Sequence, residues 1–238
     1  IVHNKRVVNN LISKGAIFVQ ELDQIPAGAV TVFSAHGVAQ KVEDIAHLRK
    51  LPVLDATCPL VAKVHKEGQR YSANGYEVVL IGHEGHPEVV GTMGRITGDV
   101  YLVSNIEDVK KLKVKNPSRL SYISQTTLSV DDTKVVIEAL KHRFPEIEGP
   151  DVKDICYATQ NRQSAVKDLV DHVDLMLVVG AKNSSNSNRL RDLGEEYGVS
   201  TYLIESCQDL DSSWFNNVNS VGISSGASPP DELVNEVI

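Results

Sequence analysis

Two histidines and two glutamates stand within Gly82-His83-Glu84-Gly85-His86-Pro87-Glu88, directly after the apolar run Val78-Val79-Leu80-Ile81. A short β-branched run closed by glycine reads as a buried strand, and α/β sheets bind ligands beyond the carboxyl ends of such strands. Four titratable groups therefore fall where chemistry is usually done. In an extended loop His86 and Glu88, two residues apart, point the same way, as a proton donor and its neighbour would. The plain alternative is a solvated polar turn.

Further reactive groups stand at other turns. In Val53-Leu54-Asp55-Ala56-Thr57-Cys58-Pro59, proline suits the first helical position, which puts Cys58 near a helix N-cap, where exposed N–H groups and the dipole favour an anionic sulfur. Asp154-Ile155-Cys156-Tyr157-Ala158-Thr159 repeats the arrangement ahead of a helix beginning near Asn161. Two such cysteines fit a metal site assembled between domains; the competing reading is two small buried hydrophobes. Cys207 has no comparable setting and reads as structural. Gly180-Ala181-Lys182-Asn183-Ser184-Ser185-Asn186-Ser187-Asn188 follows an apolar run and leads into a helix, a clustering of hydroxyls and amides suited to cradling an anion. It is neither a Walker loop nor a dinucleotide fingerprint. Ser224-Ser225-Gly226-Ala227-Ser228 and Ser124-Gln125-Thr126-Thr127 are similar. With His3 and His36 added, the set suits a multiply charged anion.

The elements that position these groups follow from the apolar pattern. Strands are expected at 16–20, 29–33, 51–55, 77–82, 99–103, 119–124, 174–180, 200–204 and 220–224. Helices are expected at 4–14, 40–49, 60–74, 106–112, 130–143, 161–172, 187–197 and 231–238. This alternation argues for an α/β fold with mainly parallel sheet. Ser129, with Asp132 three residues on, marks one helix start. Pro145, Gly149 and Pro150 suggest one domain boundary, and a second break falls near Asp55–Thr57.

Composition sets the outer limits. The 238 residues are 42% hydrophobic, enough for a substantial core, with a net charge of −7. Interspersed charge of that sign argues against a nucleic-acid or anionic-membrane surface. No apolar stretch approaches the roughly 20 residues of a membrane span, and no signal peptide is visible. Three cysteines without close spacing suit a reducing, cytoplasmic compartment.

Together these segments closely resemble the 4-hydroxy-3-methylbut-2-enyl diphosphate reductase family, iron–sulfur enzymes of the methylerythritol phosphate route to isoprenoids. Eight ordered motifs carry the likeness: His3-Asn4, Ser34-Ala35-His36-Gly37-Val38, Asp55-Ala56-Thr57-Cys58-Pro59-Leu60-Val61, Gly85-His86-Pro87-Glu88, Gln125-Thr126-Thr127-Leu128-Ser129, Ile155-Cys156-Tyr157-Ala158-Thr159, Asn183-Ser184-Ser185-Asn186-Ser187-Asn188 and Gly226-Ala227-Ser228. The resemblance implies three small α/β units, over 1–56, 57–152 and 153–238, around a central cluster and substrate cavity. It implies a 4Fe–4S cluster with one open iron, for which Cys58 and Cys156 match two of three cysteine ligands. Glu88 matches the residue that supplies protons and Thr126 the one contacting the substrate hydroxyl. His3, His36, His86, Ser184, Ser185, Asn186 and Ser228 match the substrate-binding set. The implied reaction removes hydroxide reductively, giving isopentenyl and dimethylallyl diphosphates, with reduced ferredoxin or flavodoxin as electron donor.

The pattern also departs from the family. Members begin with a strand and a Gly-Phe-Cys-Ala-Gly-type turn carrying the first cluster cysteine, and they continue beyond the helix after Ser228. The sequence thus reads as a fragment lacking one cluster cysteine, with an open edge in its first unit, and the expectation is that it holds no normal cubane and is inactive alone. Two other readings compete: a non-catalytic diphosphate-binding fragment, and a zinc hydrolase using His83, His86 and Glu88, whose loop lacks the helical spacing of known zinc motifs.

Overall fold

Continuous apolar runs, not alternating ones, mark strands covered on both faces, and these set the architecture. The structure, a computed structural model, describes residues 3–238. In chain order the elements are α1 (Lys5–Ser13), β1 (Thr31–Phe33), α2 (Gln40–Leu48), β2 (Val53–Asp55), α3 (Pro59–Ala73), β3 (Glu77–Ile81), α4 (Pro87–Met93), β4 (Val100–Val103), α5 (Ile106–Lys111), β5 (Leu120–Ser124), α6 (Val130–Arg143), α7 (Tyr157–Val170), β6 (Leu175–Val179), α8 (Ser185–Glu196), β7 (Ser200–Ile204), β8 (Val221–Ser225) and α9 (Asp231–Asn235). The fold is α/β, and every strand pair is parallel.

Ile17–Ile155 form one compact unit; the stretch up to Ala16 together with Cys156–Ile238 forms a second. The first holds the two-stranded sheet β1–β2, which leaves Val32 and Leu54 exposed, and a three-stranded sheet of order β4-β3-β5. All five residues of β3 and of β5 are buried, with Val78, Leu80 and Ile123 packed on one face and Val79, Ile81 and Tyr122 on the other. The second unit holds one sheet of order β7-β6-β8, its centre the wholly buried Leu175–Val179. In both three-stranded sheets the chain leaves the central strand for one side and returns to the other. The switch points therefore lie between β3 and β5 and between β6 and β8, where crevices form beyond the strand ends.

Three expectations need correction. Residues 16–20 form no strand: Ile17 is exposed and no strand pairs with it. The helix expected from 161 begins at Tyr157, so Cys156 is itself the N-cap. The loop after β3 is short because Pro87 opens α4, a helix too brief for its apolar period to show in sequence. Ser129 caps α6 as expected, its hydroxyl accepting from Asp132 N–H at 3.2 Å.

Candidate functional site

Glu88 and Thr126 meet at the β3/β5 switch point. Helix α4 begins as soon as β3 ends and turns the Glu88 carboxylate inward, leaving 2% of the residue exposed. Oε1 accepts the Thr126 N–H at 2.6 Å and Oε2 accepts the Thr126 hydroxyl at 3.0 Å. Burial, joined by the charge of Asp154, raises the Glu88 pKa to about 7 against the lowering effect of the two Thr126 hydrogen bonds. A carboxyl group poised there can hold and release a proton near neutrality.

His86 does not pair with Glu88 as two side chains of an extended loop would. It is the N-cap of α4, and its Nδ1 accepts the Glu88 backbone N–H at 3.2 Å while the Glu88 carboxylate goes to Thr126. An Nδ1 that accepts carries no proton, so the neutral ring bears its hydrogen on Nε2. His36 meets this ring edge-on, with centroids 5.6 Å apart. Gln125, fully buried, joins the two strand ends: its Oε1 accepts His83 N–H at 3.0 Å and its Nε2 donates to the Thr127 hydroxyl at 2.9 Å.

The loop carrying His36 is clamped from several sides. Cys58 N–H donates to Ala35 O at 3.0 Å. Gly37 has φ +74°, and a Cβ there would come 2.5 Å from His65 Cε1; a Cβ on Gly91 of α4 would lie 3.1 Å from Gly37 O. Arg95 Nε donates to Val38 O at 2.7 Å. Burial, reinforced by Arg95, lowers the His65 pKa to about 4, so this ring is a neutral packing surface. Asp154, fully buried, accepts Ser124 N–H at 3.2 Å and Lys63 Nζ at 2.9 Å, tying the end of β5 to the helix that Cys58 caps. Burial raises its pKa, with Lys63 opposing. Gln125, His65, Arg95 and Asp154 went unread as site supports because their role lies in long-range contacts that sequence spacing does not encode.

The segments expected to cradle an anion lie in the second unit. Ser184 is the N-cap of α8, its hydroxyl accepting Ser187 N–H at 3.3 Å. Asn186 is 4% exposed, yet neither its Nδ2 nor its Oδ1 has a hydrogen-bond partner. Buried amides are rarely left so, and an unpaired one beside free helix N–H groups marks a ligand position. Ser185 is half-buried beside them, and Ser228 follows the end of β8, where Arg162 Nε donates to Ser225 O at 3.0 Å. His3 lies half-buried just ahead of α1.

Cys58, in the first unit, and Cys156, in the second, are both helix N-caps with nearly the same backbone, φ −55° and ψ 133° against φ −58° and ψ 133°; neither side chain caps its helix. Their sulfurs are thus not engaged in capping, which leaves each thiol, in its own unit, chemically suited to ligate iron. Among the described residues no three His, Cys, Asp or Glu side chains gather as a metal site, so the His83, His86 and Glu88 triplet is not assembled as a zinc hydrolase would need.

The chain is 59% identical over 238 residues to 4-hydroxy-3-methylbut-2-enyl diphosphate reductase 1 of Rhodopseudomonas palustris, covering all of this chain and 78% of that protein. It is 58% identical over 241 residues to the reductase of Pseudoalteromonas translucida, with the same coverage. The solved structure of the Plasmodium falciparum E-1-hydroxy-2-methyl-but-2-enyl-4-diphosphate reductase superposes with a TM-score of 0.95 at 39% identity, covering 99% of this chain and 74% of that one. A second solved structure, of (E)-4-hydroxy-3-methyl-but-2-enyl diphosphate reductase as terminal enzyme of the non-mevalonate pathway, gives 0.68 at 35% identity, covering 100% and 84%. The LytB protein pattern matches residues 1–238 throughout, and the chain belongs to that family.

Proposed function

We propose that this chain supplies the proton donor, the diphosphate contacts and two cluster cysteines for the reaction for which its relatives are named, the reductive dehydroxylation of (E)-4-hydroxy-3-methylbut-2-enyl diphosphate to isopentenyl and dimethylallyl diphosphates. The allylic C–O bond breaks, two electrons and two protons enter, and water leaves. The observation that carries the reading is the Glu88–Thr126 pair: a buried carboxyl titrating near 7, hydrogen-bonded to a hydroxyl at a crevice between strand ends.

Glu88 holds the proton. When protonated it donates to Thr126 Oγ1, whose own hydrogen is then free to meet the substrate hydroxyl, so the proton reaches the departing oxygen through a fixed pair. Their burial keeps bulk water from competing for that proton. His36 and His86 line the approach, and His3, Ser184, Ser185, Asn186 and Ser228 take the diphosphate, with the α8 N-terminus complementing its charge. Cys58 and Cys156 would each hold one iron of a 4Fe–4S cluster with one open iron, and such a cluster would supply the electrons and a Lewis acid for the leaving oxygen. Cys207, opening a three-residue 3-10 turn, lacks the α-helix N-cap setting of the other two thiols. Reduced ferredoxin or flavodoxin is the electron donor and the cytoplasm the location; among the described residues no helix is long and apolar enough to cross a membrane.

Anaerobic incubation of the iron–sulfur-loaded protein with substrate and reduced donor should yield both isoprenyl diphosphates at two electrons per product. Diphosphate binding without product would instead make the chain a non-catalytic anion-binding module.

A further inference from the structure

The anion cradle is built from two segments about forty residues apart, the first turn of α8 and the turn after β8, and something must fix their separation. Ser187 lies between them. It is 1% exposed and its hydroxyl has no hydrogen-bond partner. A Cβ on Gly226 would come 2.2 Å from Ser187 Oγ, and one on Gly180, at the end of β6, would also come 2.2 Å from it. Neither glycine has a positive φ, so each is required by the space the hydroxyl fills and not by backbone conformation. The same Gly226 Cβ would sit 3.6 Å from Asn186 Nδ2, so the contact borders the unpaired amide directly. Gly226 N–H donates to Val179 O at 2.9 Å, holding the β8 turn against the end of β6. A hydroxyl buried without a partner is a poor choice for stability alone.

We propose that Ser187 is a positioning residue: its contact with Gly226 sets the spacing between the α8 and β8 arms, and so the width of the diphosphate crevice. This rests on the diphosphate reading of the cradle. Contact across the crevice is steric and rigid, because glycine backbone faces it from both sides. Widening it by one methyl moves the arm carrying Ser228 away from the arm carrying Ser184 and Asn186.

The test is calorimetric titration of the full chain with inorganic diphosphate, which requires no turnover. Gly226→Ala places a methyl on Ser187 Oγ and should weaken binding at least tenfold. Adding Ser187→Ala to that variant removes the clashing atom, leaving the next contact at 3.4 Å, and should restore most of the affinity. Undiminished binding by Gly226→Ala, or failure of the double variant to recover, overturns the inference. If Gly226→Ala does not fold, as judged by thermal melting, Ser187→Thr crowds the same gap from the helix side; it should weaken binding several-fold, and unchanged affinity overturns the inference. Absence of diphosphate binding by the unaltered chain would overturn the cradle reading and the inference together, whereas wild-type binding with indifferent variants removes only the inference.

Discussion

Both carboxylate oxygens of Glu88 are engaged by one residue, Thr126, whose N–H and hydroxyl reach Oε1 and Oε2 at 2.6 and 3.0 Å. This bidentate grip fixes the acid's orientation while burial fixes its proton affinity, so the position and the pKa of the proton donor come from the same two strand ends.

The pH dependence follows. Turnover needs protonated Glu88, whose pKa is about 7, so kcat should be level in mild acid and fall towards tenfold per unit above neutrality. Stability runs the same way. A folded pKa raised above the unfolded value of 4.5 makes the native state bind more protons between the two, so this contribution is fully present below 4.5 and is lost as pH rises towards 7. Urea midpoints at pH 5 and 8, compared between wild type and Glu88→Gln, check it: the variant should lose part of the wild-type decline.

Thr126→Val keeps the shape and removes the hydroxyl. With the relay hydroxyl gone kcat should fall, and with Oε2 deprived of its donor ionised Glu88 loses support and its pKa climbs further, so the alkaline limb of the residual rate should move to higher pH. The buried oxygen left unpaired should cost about 1–3 kcal/mol, read from denaturant unfolding.

Gly37→Ala strikes the loop that carries His36. An alanine at φ +74° costs roughly 1–2 kcal/mol in backbone strain, and the methyl meets the His65 ring at 2.5 Å, adding about 1–3 kcal/mol of overpacking. Thermal melting should show a drop of several degrees; an unchanged Tm would mean that the loop is not clamped between His65 and Gly91.

Asn186→Ala separates binding from stability. The amide has no partner within the chain, so its loss should leave Tm near the wild-type value while diphosphate affinity falls about tenfold or more. A parallel loss of stability would make Asn186 a structural residue.

Much of the fold was legible because its strands are buried on both faces. Val78–Ile81 and Leu175–Val179 are uninterrupted apolar runs, and the Pro59 and Ser129 helix starts carry local chemistry. Helix α4 was not legible: seven residues present barely two turns, and the cluster Gly82–Glu88 reads as loop. Missing that helix turned His86 and Glu88 into neighbours, whereas one caps the backbone and the other reaches across to β5. The residues that do the reaching were named, but the supports were not. Gln125, His65 and Asp154 act over 28 to 42 positions in sequence, through contacts that only the folded chain creates.

The central claim is that Glu88 delivers the proton. Steady-state kinetics of the loaded enzyme carrying Glu88→Gln test it most directly, because glutamine fills the same space and retains an acceptor for Thr126 but has no acidic proton. The account predicts kcat lower by on the order of 100-fold or more, with KM and iron–sulfur content near wild type. A kcat within a few-fold of wild type, with the cluster loaded, would remove Glu88 from the proton path and contradict the account.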